Sequence, residues 1–105
     1  MFVFINWVDS NLAIGSNDLA ECSASVICSS TSVDRIVIYM YLQTYSGGTW
    51  TTVGSWSQTF YSTSATLYKV AYAPPGYTYR VKGSYYVYSG AQSEHVVDYS
   101  STVIH

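Results

Sequence analysis

From Ile36 to Leu42 the chain alternates without a break. Ile36, Ile38, Met40 and Leu42 fall on one parity, and Val37, Tyr39 and Tyr41 on the other. Side chains of a strand point to opposite faces in turn, whereas the apolar positions of a surface helix recur every three or four residues. The stretch therefore reads as a strand with one face in a core and a tyrosine-bearing face outward. The same period places Ala20, Cys22, Ala24, Val26 and Cys28 opposite Glu21, Ser23, Ser25 and Ile27. Period 3.6 is absent. Further strands are expected over Trp7–Ile14, Thr49–Ser57, Ala65–Tyr72, Tyr77–Tyr88 and Ser93–Ile104. Ser46-Gly47-Gly48, Pro74-Pro75-Gly76 and Ser89-Gly90 supply the turns between them. About seven strands punctuated in this way predict an all-β, immunoglobulin-like sandwich of two antiparallel sheets. Its expected core includes Ile36, Ile38, Met40, Leu42, Tyr79 and Val81. Residues 9–105 form this domain, and residues 1–8 read as an extra apolar N-terminal docking strand.

Composition narrows the partners. Charged residues are 10% of the 105, and the only cations are Arg35, Lys69, Arg80 and Lys82, for a net charge of −2. So few cations neutralise few phosphates, which excludes nucleic acid and an anionic membrane surface as expected partners. No apolar run approaches the roughly 18 residues of a membrane helix. Met1-Phe2-Val3-Phe4-Ile5 lacks the basic flank and small-residue cleavage site of a signal peptide. Abundant Ser, Thr, Tyr and Trp with little Lys and Glu leans toward an exported β-domain, extracellular or at the cell surface.

Pro75-Gly76-Tyr77-Thr78-Tyr79-Arg80-Val81 resembles the start of strand F in immunoglobulin-like and fibronectin type III domains. There a tyrosine after a Pro/Gly corner packs inward and bonds back to the backbone, so the resemblance makes Tyr79 a structural tyrosine corner. Cys22 stands where the strand-B cysteine of antibody domains would, but Val81 occupies its partner's position. A wider resemblance rests on several segments. They are Asn11–Ile14, Ala20–Val26, the hairpin Leu42–Val53 with Trp50, Ser55-Trp56-Ser57 and Gly76–Val81. These are similar to a functionally uncharacterised family of small exported β-sandwich proteins of Gram-positive, mainly clostridial, bacteria. The resemblance implies fold and compartment and carries over no catalytic residue.

No catalytic constellation stands out in the sequence. The acids Asp9, Asp18, Glu21, Asp34, Glu94 and Asp98 are scattered, and Glu94 and Asp98 stand ~13 Å apart along one strand, too far for a glycosidase pair. His95 and His105 have no Gly-x-Ser-x-Gly elbow to serve. Neither a calcium loop nor zinc-ligand spacing is present. Cys22 and Cys28, six residues apart on one strand, are ~20 Å apart and do not bridge each other. The expectation is a protein that is not an enzyme, without cofactor or metal.

Two binding features remain. Tyr39 and Tyr41 on one strand and Tyr86 and Tyr88 on another point outward on neighbouring strands, with Arg80 and Lys82 at one end. This is a candidate face for stacking polysaccharide, or else a set of cross-strand pairs that reinforces the sheet. Trp50 and Trp56 are expected in the core or half-buried. The apolar run Phe2, Val3, Phe4, Ile5 and then Trp7 is a candidate self-association segment. Donated to a neighbouring copy, it would build a filament. The expected function is an extracellular structural or interaction protein that self-associates; the alternative is a carbohydrate-binding module using the tyrosine face.

Overall fold

The computed structural model of the chain describes residues 4–29 and 31–105. Eight strands follow one another: β1 (Ile5–Ile14), β2 (Leu19–Cys28), β3 (Arg35–Ser46), β4 (Thr49–Phe60), β5 (Ser64–Tyr72), β6 (Thr78–Ser89), β7 (Gln92–Tyr99) and β8 (Val103–Ile104). One sheet has the order β1-β2-β5, the other β4-β3-β6-β7, with β8 also paired to β6, and every pairing is antiparallel. This is a two-sheet sandwich of the immunoglobulin-like kind. In the constant-type arrangement the fourth strand joins the first sheet; here β4 turns back onto β3 through a two-residue hairpin. Gly47 and Gly48 carry the positive φ of +60° and +84° that such a turn demands.

The core lies between the sheets, and the register is the expected one. Ile36, Ile38, Met40, Leu42, Tyr79 and Val81 are all buried, opposite Ala20, Cys22, Ala24 and Val26 of β2 and Leu67 of β5. Small residues on β2 face large ones on β3 and β6, a pairing of sizes that lets two layers interdigitate. Each large apolar side chain so enclosed contributes about 1.5–3 kcal/mol relative to an exposed one. Two polar groups close the sandwich. The Tyr79 hydroxyl donates to the Pro74 carbonyl oxygen at 2.6 Å, the tyrosine-corner bond across the Pro74-Pro75-Gly76 bend. Tyr85, wholly buried on β6, donates to the Asp9 carbonyl at 3.0 Å and accepts from Ser10 Oγ at 2.7 Å, pinning β6 to β1.

Three expectations need correction. A docking strand ending at residue 8 is not a separate unit, because β1 runs through that position and pairs with β2 from Ile5 to Ile14. Within the self-association segment, Phe4 is buried in the protein's own core and Ile5 packs against it. The Phe4 and Ile5 amides both donate to Glu94 Oε1, and the Phe4 carbonyl accepts from the Ser29 amide at 2.9 Å. An apolar ring beside an accessible inter-sheet seam gains more from closing its own sandwich than from waiting for a neighbour's. Trp7 is exposed, and Phe2 and Val3 lie outside the described residues. Finally, the last strand is broken. β7 and β8 pair with β6 in registers one residue apart, because the Ser100 hydroxyl takes the Val81 amide at 2.8 Å in place of a backbone carbonyl.

Candidate binding face

The outer face of the β4-β3-β6-β7 sheet is where the aromatic and basic side chains converge. On β3 the outward positions are Arg35, Val37, Tyr39, Tyr41, Gln43 and Tyr45, and on β6 Thr78, Arg80, Lys82, Ser84, Tyr86 and Tyr88. Register sets Tyr88 against Arg35, Tyr86 against Val37, Lys82 against Tyr41 and Arg80 against Gln43. The anticipated face thus exists, but its four tyrosines are not one cluster. Tyr39 meets Tyr86 edge to face at 5.7 Å, and Tyr86 stacks on His95 of β7 at 4.0 Å. Tyr88 lies apart under the Arg35 guanidinium, and Tyr41 is near Lys82. Part of the set therefore reinforces the sheet, as cross-strand pairs do, while Tyr39 keeps 39% of its surface exposed.

The most ordered group on the face was not assembled from the sequence. The Arg80 guanidinium lies between two rings, its carbon 4.1 Å from the Trp50 centroid and 4.2 Å from that of Tyr99. Its Nε donates to Gln43 Oε1 at 2.8 Å, and Gln43 Nε2 donates in turn to Thr52 Oγ1 at 3.3 Å. Tyr45 completes the group edge-on to Trp50. Trp50 and Trp56 have the same parity, yet only Trp56 packs on the core. A bulge at Val53 separates them: Leu42 pairs with Gly54 but Gln43 with Thr52, so β4 carries one extra residue and its faces exchange. Gly54 is part of this device, since a Cβ there would come within 2.9 Å of the Trp56 ring. The only signal for the bulge in the sequence is Gly54 beside Val53, which is weak.

The charges are segregated. Arg35, Arg80 and Lys82 are outward on this sheet, whereas no acidic residue occupies an outward position of its strands among the described residues. Asp9 and Glu21 belong to the opposite sheet's outer face, where Glu21 accepts from the Tyr68 hydroxyl. Asp18 is paired with His105, and Asp34 accepts from the Gly90 amide. Glu94 and Asp98 have the inward parity of β7.

Other concavities are less furnished. An apolar groove of about 440 Å³ runs between the β4 and β5 edges, lined by Leu42, Val53, Tyr72, Pro74, Tyr77 and Tyr79. A depression of about 350 Å³ lies on the outer β1-β2-β5 face near Trp7 and Ile27. The Ser84 hydroxyl is 2.7 Å from His95 Nε2, but the His95 ring is stacked on Tyr86 and no carboxylate is bonded to it among the described residues. Nor do three His, Cys, Asp or Glu side chains come together there in a way that would hold a metal. Cys22 and Cys28 are both free thiols; burial pushes Cys22 up to about 11 and also raises Cys28, with Glu94 adding to it. No family model and no curated protein matches the chain.

Proposed function

We propose that the protein is a non-catalytic domain that works outside the cell, at or near a cell surface, and binds polysaccharide with the outer face of its larger, five-stranded sheet. The observation that carries this reading is the acid-free aromatic face itself. Tyr39, Tyr45 and Tyr99 keep 39%, 46% and 47% of their surface exposed, and tyrosine offers contact area at small entropic cost. The border is rich in hydroxyls: Thr52, Ser55, Ser57 and Thr59 lie outward on β4. The concavity at Tyr39, Tyr41, Ser55 and Ser57 is a shallow 200 Å³, which suits an extended chain lying across strands better than a peptide anchor needing a deep pocket. The composition, rich in Ser, Thr, Tyr and Trp and with 10% charged residues, supports the compartment. Affinity electrophoresis through a panel of polysaccharides tests the reading. At least one polymer is expected to retard the protein, with Tyr39→Ala and Tyr41→Ala reducing retardation without moving the thermal midpoint. Retardation by none of them would count against it.

Self-association is the second reading, favoured by a different observation. Leu19 and Tyr72 pair on the opposite sheet's outer face, and Val70 and Val53 nearby are also exposed. Contiguous exposed apolar surface of this kind marks interaction sites. Light scattering over a hundredfold range of concentration decides it: a mass that stays that of one chain removes this reading.

A further inference from the structure

We infer that the polysaccharide taken by this face is a polyuronate, with Arg80 as the fork that receives its carboxylates and Lys82 as a second cation a strand-step away. This rests on the carbohydrate reading and goes beyond it by naming the charge of the ligand. The chain as a whole is acidic, at −2, so simple charge counting points to a basic partner. The fold reverses that by placing three of the four cations on one sheet face and directing the carboxylates elsewhere. None of those three cations is paired with a carboxylate among the described residues.

Arg80 has the features of a receptor group. Its carbon lies 4.1 Å and 4.2 Å from the Trp50 and Tyr99 ring centroids and its Nε is held by Gln43, so two rings and a hydrogen bond restrain the guanidinium before any ligand arrives. Among the described residues its two terminal nitrogens take no hydrogen bond and no buried side-chain nitrogen is left without a partner, so they meet solvent. A planar fork presented in this way matches a carboxylate bidentately, and the usual cost of ordering a long side chain has already been met within the folded state. Lys82 lies two residues along β6, ~7 Å away, opposite Tyr41. Repeating carboxylates on sugar rings therefore meet cations and tyrosine faces on the same strands. An acidic peptide would use the cations but not the width of the hydroxyl border on β4.

The test compares polygalacturonate with the same polymer methyl-esterified, so that backbone and hydroxyls are kept and charge is removed. Affinity electrophoresis is expected to show strong retardation by the acid form and about tenfold weaker binding to the ester, the scale of one charge-assisted bidentate contact. Arg80→Lys keeps the charge but loses the fork and is expected to weaken binding to the acid form by about fivefold or more. Arg80 also holds two rings in place, so Lys82→Gln, where the only ring contact is the looser one to Tyr41 at 5.7 Å among the described residues, provides a second reading and is expected to weaken binding about twofold to threefold. Equal retardation by acid and ester overturns the polyuronate inference and leaves the carbohydrate reading standing. Wild-type binding by both variants also overturns it, as does equal binding to polyphosphate, which has charge without sugar. Retardation by neither form, together with none by neutral polymers, overturns both.

Discussion

Tyr85 and Gly83 are neighbours on one face of β6 and act as one device. A Cβ on Gly83 would stand 2.6 Å from the Tyr85 hydroxyl oxygen and 2.7 Å from Ser10 Oγ, so only glycine leaves room for the bond between them. Gly83→Ala is expected to cost about 2–4 kcal/mol, from overpacking and a broken buried hydrogen bond together, read as a lower urea midpoint with an unchanged m-value. Burial pushes Tyr85 up to about 12 from an ordinary value of 10, despite the opposing bond from Ser10. The native state thus holds this proton more tightly than the unfolded chain. Its contribution is intact below pH 10 and disappears as pH rises through about 12. Cys22 acts in the same sense between 9 and about 11. Urea midpoints should therefore fall steadily above pH 9, and Tyr85→Phe should flatten the upper part of that fall. Tyr79 is the third such group. Tyr79→Phe leaves the Pro74 carbonyl without its donor and is expected to cost about 1 kcal/mol or somewhat more by chemical denaturation.

At the scale of elements, two single-residue irregularities shape the five-stranded sheet. The bulge at Val53 puts Trp50 over Arg80 while Trp56 enters the core, so one strand serves both faces with the same residue type. The break between β7 and β8 works differently. Ser100 donates its amide to the Val81 carbonyl and accepts the Val81 amide on its hydroxyl, which keeps a buried backbone pair satisfied where the ladder steps by one residue. Ser100→Ala strands that amide in a buried site and is expected to destabilise by about 1–3 kcal/mol. Hydrogen exchange at Val81 is the measurement, and it should accelerate far more than exchange at Ile38.

For the whole molecule, the N-terminus is the place where sequence and structure part most plainly. Phe4 closes the seam between sheets, with its amide on Glu94 of β7 and its carbonyl on Ser29 after β2. Phe4→Ala is accordingly expected to lower stability by about 3 kcal/mol or more, as buried phenylalanines do, while native mass by light scattering stays the same. A filament held together by that side chain would instead lose mass on substitution with little change in protomer stability.

Alternation alone determined a great deal. It separated Ile36, Ile38, Met40 and Leu42 from Tyr39 and Tyr41, and the turn residues set where each strand stops, because both effects are local and of fixed period. The Pro/Gly bend likewise marked Tyr79. The clamp of Arg80 by Trp50, Tyr99 and Gln43 was not legible, since it joins four strands and depends on one extra residue at Val53 that reverses parity. The fate of Phe4 was not legible either. An apolar run reads the same whether it covers its own core or another's, and only the tertiary structure, by leaving a seam beside β7 and an acceptor in Glu94, decided which.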